Sequence, residues 1–208
     1  VRAASRYEYL VIASPSGAYF KNGLQPIDLW VDRRYHRAGP GGMGDVKTGG
    51  NYASSLLPKV RASQTGFDEV LFLDAATNTN IDELGGMNIF VVMADGSVKT
   101  PLLNGNILPG GTRSSIIQLL ESHGTPMSEE TISLQSVIDG LASGEVAEMF
   151  ACGTAAVVTP IGRLASDDFD VEVPVGDVTH AIYDELTAIQ LGHREDRFGW
   201  LYKIADAS

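Results

Sequence analysis

Pro40-Gly41-Gly42-Met43-Gly44-Asp45-Val46-Lys47-Thr48-Gly49-Gly50-Asn51-Tyr52 is the stretch around which this chain is organised. Glycines crowd a single lysine, Lys47, and the aromatic hydroxyl of Tyr52 follows shortly after. Glycine opens backbone conformations closed to other residues and lets the main chain approach a ligand closely. A lysine in such a frame can sit on a phosphate as a point charge or turn its amine on a carbonyl carbon. The first reading fails on spacing. A P-loop needs its lysine directly after the second glycine of G-x-x-x-x-G, and here Asp45 and Val46 separate Gly44 from Lys47. Asp45 would also put a carboxylate where phosphates should lie. What remains is an amine-bearing loop.

Upstream of the loop, Ile27-Asp28-Leu29-Trp30-Val31 alternates and reads as a half-buried strand. The basic run Arg33-Arg34-Tyr35-His36-Arg37 follows it. Such a run reads as a solvated face, with Arg37, nearest the loop, set apart as a site candidate. Residues 7–13 read as a strand behind a polar linker over 1–6, and Lys21-Asn22-Gly23 signals a turn.

Downstream, residues 53–63 carry a helical period through Leu56, Leu57 and Val60, with Gly66 as a stop. Pro58 is predicted to kink or shorten that helix. Residues 70–74 form an apolar strand predicted to be central, 77–80 a polar turn, and 81–88 lead into a strand over 89–93. Asp95-Gly96 marks a hairpin that returns through 97–101. Leu108-Pro109-Gly110-Gly111-Thr112-Arg113 opens an amphipathic helix over 114–123, with Thr112 as candidate N-cap and Gly124 as stop. Two more helices are expected over 134–142 and 178–191, and strands over 146–152 and 155–161 turn about a tight Gly153-Thr154 corner. Strands and helices interleave, yet several strands are joined by hairpin-length turns. The fold class is α+β (mixed α/β), not a doubly wound nucleotide fold.

With 208 residues, one sizeable domain is expected, with room for a second small one. A hydrophobic content of 44% suits an ordinary globular chain with a real core. The net charge of -11 argues against nucleic acid as a partner. A single cysteine, Cys152, excludes an internal disulfide and fits a reducing compartment. No apolar run is long enough to cross a bilayer and no signal-peptide order is present, so the expected location is cytoplasmic. The histidines His36, His123, His180 and His193 are scattered without metal-ligand spacing, and no metal is expected.

The lysine loop resembles the Schiff-base segment of the branched-chain amino acid aminotransferases, fold-type IV (class IV) enzymes dependent on pyridoxal 5′-phosphate. Three later stretches extend the resemblance in family order: Asp82-Glu83-Leu84-Gly85-Gly86-Met87-Asn88, Gly110-Gly111-Thr112, and Ala151-Cys152-Gly153-Thr154-Ala155. It implies Lys47 as the Schiff-base lysine, which also carries the proton from the substrate Cα. A buried or crowded lysine loses proton affinity, which suits such a role. Glu83 is implied at the pyridine nitrogen, with Asp82 competing for that place, and Tyr52 at the phenolic oxygen. The phosphate would fall to Gly111, Thr112, Thr154 and Arg37, and the backbone N–H of Ala155 would meet the substrate carboxylate. Without the family, Gly111-Thr112 reads simply as a helix cap and Tyr52 as a core tyrosine.

The resemblance implies the large domain of a D-amino acid aminotransferase-like fold over residues 7–208, a distorted β-barrel surrounded by helices. Residues 1–6 would be an interdomain linker, and the family's small N-terminal domain is absent from this sequence. Substrate is oriented between facing groups, so the chain alone is expected to bind cofactor poorly and turn over little. The implied reaction is reversible, ping-pong amino transfer between L-leucine, isoleucine or valine and 2-oxoglutarate, by a homodimer. The small-molecule partners are thus amino acids and 2-oxo acids. Ala156-Val157-Val158-Thr159 stands where some animal relatives carry a redox Cys-x-x-Cys, so no thiol switch is expected. Gly86 replaces a threonine of some relatives beside the cofactor ring. A D-amino acid aminotransferase or an aminodeoxychorismate lyase would share the lysine and the glutamate. A non-catalytic phosphate-ligand-binding domain would use Lys47 and Arg37 only as anion contacts.

Overall fold

Continuous apolar runs build the inner strands of the computed structural model, which describes residues 2–15 and 24–204. In chain order the elements are β1 (Ile27–Asp32), α1 (Gly49–Gln64), β2 (Glu69–Leu73), β3 (Ile81–Leu84), β4 (Asn88–Met93), β5 (Val98–Pro101) and α2 (Gly111–Ser122). There follow β6 (Met127–Glu130), α3 (Leu134–Ser143), β7 (Val146–Gly153), β8 (Val157–Ala165), β9 (Asp170–Glu172) and α4 (Asp177–Gln190). The strands form one mixed sheet in the order β3-β2-β1-β8-β7-β4-β5-β6, with β9 paired to β8. β1 runs parallel to both neighbours, Trp30 opposite Val70 and Leu29 opposite Leu164. The β8–β7, β7–β4 and β4–β5 pairs are antiparallel.

The two ends of this sheet meet. Ile81 N–H donates to Ile132 O at 2.8 Å and Leu134 N–H to Thr79 O at 2.9 Å. Asn80 forms an antiparallel bridge with Ser133. The segment behind β6 is thereby stitched to the start of β3, and the sheet curls into a half-barrel with helices outside. This is the α+β class expected from the pattern of elements, with the distorted barrel that the resemblance implies. No helix among the described residues is long and apolar enough to cross a membrane.

Successive side chains of a strand point to opposite faces, and here both faces are buried. Ile89 and Val91 of β4 pack with Leu29, Leu71, Met149 and Leu164 in one cluster. Phe90 and Val92 pack with Ile116 and Leu120 of α2 and Ile182 and Leu186 of α4 in a second. Phe90 and Phe150 stack with ring centroids 4.9 Å apart. Each fully buried side chain of this kind stabilises the fold by about 1.5–3 kcal/mol. Together they hold rigid the strand ends that carry the site.

Several expectations need correction. Residues 7–13 form no strand: Tyr9 and Ile12 are 91% and 86% exposed, and no described strand pairs with that backbone. The Lys21-Asn22-Gly23 turn lies outside the described residues. Helix α1 begins at Gly49 and runs through Pro58 without a break, burying Asn51, Ser55, Pro58 and Ala62. Leu56, Leu57 and Val60 are exposed instead. Both stripes have helical spacing, and packing against the sheet chose the smaller residues. β2 is buried on both faces but lies one strand in from the end of the sheet, not at its centre. β3, β6 and β9 escaped the sequence reading because each is short and rich in acidic residues.

Candidate active site

Lys47, Glu83, Gly111, Thr112 and Thr154 all line one cleft of about 200 Å³, together with Asn88, Leu108 and Cys152. The glycine-rich loop reaches it because two contacts anchor its ends. Asn51, buried at the start of α1, donates from Nδ2 to Met43 O at 2.6 Å and to Val46 O at 2.9 Å. Gly44 rests on the backbone of Asn106 so closely that a Cβ would overlap Asn106 O. Only glycine fits there. Lys47 Nζ donates to Tyr52 OH at 2.9 Å, a bond that spans the loop-to-helix junction. Both side chains are exposed, so Lys47 is not buried as its chemistry led us to expect, and Tyr52 reaches the cleft only through this bond, not being among its lining residues.

Glu83 lines the same cleft. It is 2% exposed, and its carboxylate gathers three donors. Arg37 Nη1 lies 2.9 Å from Oε1, Leu108 N–H donates to Oε1 at 2.8 Å, and Asn88 Nδ2 donates to Oε2 at 2.9 Å. Burial pushes the Glu83 carboxyl up to about 7, while the Arg37 guanidinium and the Leu108 N–H pull the other way. Asp82, the residue before Glu83 on β3, turns to the other side. It lines a separate hollow with Asp74, Asn104 and Glu130. Burial raises its carboxyl as well, against a hydrogen bond from Asn104.

Arg37 is placed differently from the expectation. Its guanidinium is buried behind Glu83, where it also donates to Gly44 O at 3.1 Å and Asn106 O at 2.8 Å. It does not line the cleft. The phosphate contact expected of it is therefore corrected to a counter-ion for Glu83. The physical reason is the burial itself, since a buried carboxylate stripped of its cation is destabilising by several kcal/mol.

The third wall is the start of α2. Its N-cap is Gly110, not Thr112, and no side chain caps it. The first bond back into the helix is Ser114 N–H to Gly110 O. The N–H groups of Gly111, Thr112 and Arg113 precede that first turn, the pattern of an anion-binding helix terminus. A Cβ on Gly110 would overlap Asn88 Oδ1 and displace an amide held by two hydrogen bonds. Across from it, Thr154 sits on the β7–β8 corner with Ala155 beside it, both exposed. Ala155 is not among the residues lining the cleft. Cys152 on its floor is fully buried, and burial pushes its thiol well above the usual range.

Asn88 was missed as a site residue. It bridges Glu83 Oε2 and Leu108 O, both at 2.9 Å, and so ties β3 to the segment ahead of α2. Its place at the end of the Glu83 stretch was the available signal. An exposed amine, a buried carboxylate and free N–H groups lining one cleft can hold a planar ring bearing a basic nitrogen and an anionic substituent.

The amino-transferase class IV family model matches residues 4–164. A branched-chain-amino-acid aminotransferase of Mycobacterium tuberculosis is 46% identical over 210 residues, covering 98% of this chain and 57% of that protein. Among solved structures, a branched-chain amino acid aminotransferase of Escherichia coli superposes with a TM-score of 0.78 at 34% identity. That match covers 92% of this chain and 60% of the other. The branched-chain aminotransferase of the thermophilic archaeon Thermoproteus uzoniensis, solved with norvaline, superposes with a TM-score of 0.75 at 30% identity, over 92% of this chain and 59% of that one. The chain thus spans a little over half the length of these relatives.

Proposed function

This chain belongs to the amino-transferase class IV family, and from that premise we propose that it holds pyridoxal 5′-phosphate and moves an amino group between a branched-chain L-amino acid and 2-oxoglutarate. The observation that carries the reading is that Lys47 and Glu83 line one cleft whose third wall is the uncapped start of α2. The names of the relatives supply the substrate class. A homodimer in the cytoplasm, with residues 1–6 as a linker and 7–208 as the large domain, completes the proposal. The exposed apolar run of Tyr9, Leu10, Val11 and Ile12 favours a covering body over it.

The donor set fits the cofactor. Glu83 Oε1 already accepts from Arg37 and Leu108, whereas Oε2 accepts only from Asn88 and keeps a lone pair for an N–H donor in the cleft. When bound, pyridoxal 5′-phosphate supplies an aldehyde that takes up an amino group and a pyridinium ring that draws electrons from Cα. Glu83 accepts the ring N–H. Arg37, Leu108 and Asn88 favour its ionised form against burial. Lys47 Nζ takes up and returns the Cα proton of the amino acid. Tyr52 OH holds that amine at the rim. Gly111, Thr112 and Thr154 offer N–H and hydroxyl donors to the phosphate, and Ala155 N–H is assigned to the substrate carboxylate.

Two assays test this reading. Pyridoxal 5′-phosphate titrated into the wild type should give a visible absorption band that Lys47→Ala lacks. Amino transfer to 2-oxoglutarate should be faster from L-leucine than from D-leucine. A preference for D-leucine would replace the substrate assignment, and no band at any concentration would remove the cofactor.

A further inference from the structure

Two cations are buried among the described residues, Arg37 and Arg113. Arg37 is committed to Glu83. Arg113 stands directly after Thr112 in the first turn of α2 and is 4% exposed. Its Nη2 donates to Pro101 O, at the end of β5, at 2.9 Å and to Glu129 of β6 at 2.6 Å. Its Nε is buried without a hydrogen-bond partner. Buried arginines ordinarily have their donors used.

The position of this charge matters. A Cβ on Gly110, the N-cap, would meet Arg113 Cβ at 3.6 Å, so Arg113 packs against the cap without itself lining the cleft. The guanidinium also lies near enough to Cys152, on the cleft floor, to oppose the effect of burial on its thiol. Its counter-ion Glu129 is 39% exposed, against 5% for the Arg113 side chain. Water therefore screens the negative partner more than the positive one. The start of α2 has, beside its own dipole, a buried guanidinium whose counter-ion is partly in water.

We infer that Arg113 is the positioning residue of the anion cradle: it pins the first turn of α2 to β5 and β6 and sets a buried positive charge behind the free N–H groups of Gly111 and Thr112, where the phosphoryl group of the cofactor binds. The inference rests on the function proposed above. It explains how the cradle can favour an anion although Arg37 faces away and Lys47 is reserved as the amine.

The test compares ligands with and without the phosphoryl group on the full chain. Dissociation constants for pyridoxal 5′-phosphate, pyridoxal and inorganic phosphate are measured for wild type, Arg113→Met, Arg113→Lys and Glu129→Gln. Thermal melts report folding. In Arg113→Met, affinity for pyridoxal 5′-phosphate and inorganic phosphate should fall about tenfold, and that for pyridoxal by no more than about twofold. Arg113→Lys should recover part of the loss.

Should Arg113→Met fail to fold, Glu129→Gln decides, because it keeps an acceptor for Nη2 at a half-exposed position and removes the opposing charge. It should tighten both phosphorylated ligands about twofold and leave pyridoxal unchanged. Equal losses for pyridoxal and its phosphate in Arg113→Met, or no change in either variant, would overturn the inference. A wild type that binds pyridoxal 5′-phosphate no better than pyridoxal removes the cradle itself. One that binds neither removes the cofactor reading on which the inference stands.

Discussion

Removing the charge of Glu83 should change how stability depends on pH, by an amount the structure sets. Burial raises the Glu83 carboxyl from 4.5 in its ordinary state to about 7 in the fold. Each unit is worth about 1.4 kcal/mol, so ionising this group within the fold costs about 3 kcal/mol. Below the ordinary value, folded and unfolded chains both carry the proton and the group is neutral to stability. Between that value and 7, the folded chain keeps a proton the unfolded chain has released, so stability falls as pH rises. Above 7 both forms are ionised and the loss is complete. Glu83→Gln cannot ionise and lacks this slope.

Like protonated Glu83, the Gln side chain gives Arg37 no counter-charge, and because arginine stays protonated the pair adds no slope to the variant. Asp82, raised by burial as well, contributes a slope in both proteins and largely cancels in the difference. Urea unfolding from about pH 5 to about pH 8 measures the effect. The wild type should lose about 2.5 kcal/mol more than the variant across the window. Curves parallel within about 0.5 kcal/mol, or a wild type that gains stability with rising pH, would refute the burial argument for Glu83.

Three further substitutions probe the frame around the cleft. Gly44→Ala would drive a Cβ into Asn106 O and should destabilise the chain by about 1–3 kcal/mol; a melting temperature equal to wild type would contradict the close approach. Asn88→Leu keeps the volume but strips a donor from Glu83 Oε2 and Leu108 O. It should cost about 1–3 kcal/mol in urea unfolding at neutral pH, and a smaller cost would mean the bridge is not made. Leu56→Lys and Val60→Lys, on the exposed face of α1, should leave the stability of this chain within about 0.5 kcal/mol, whereas a core helix face would lose several.

The cleft was legible because its groups sit at punctuation marks. Lys47 lies between glycine pairs, Thr112 directly follows one, Thr154 occupies a hairpin corner, and Glu83 stands just ahead of an apolar strand. Glycines that permit close backbone approach leave a trace in the sequence. What could not be read depends on partners distant along the chain. The periodicity of α1 defines two helical stripes, but only contact with the sheet decides that Ser55 and Ala62 turn inward while Leu56 and Val60 turn out. Arg37 lies ten residues before the lysine, and its neighbourhood in sequence says nothing of Glu83, whose burial captures it. Residues 7–13 have the composition of a strand, yet a strand exists only where another backbone completes its ladder.

Chemical trapping addresses the central claim most directly. The chain is mixed with pyridoxal 5′-phosphate, reduced with borohydride, digested and mapped by mass spectrometry. A pyridoxyl group fixed on the peptide carrying Lys47, and lost in Lys47→Ala, is the predicted result. Label on Lys59 or Lys99 instead, or on no lysine at all, would contradict it.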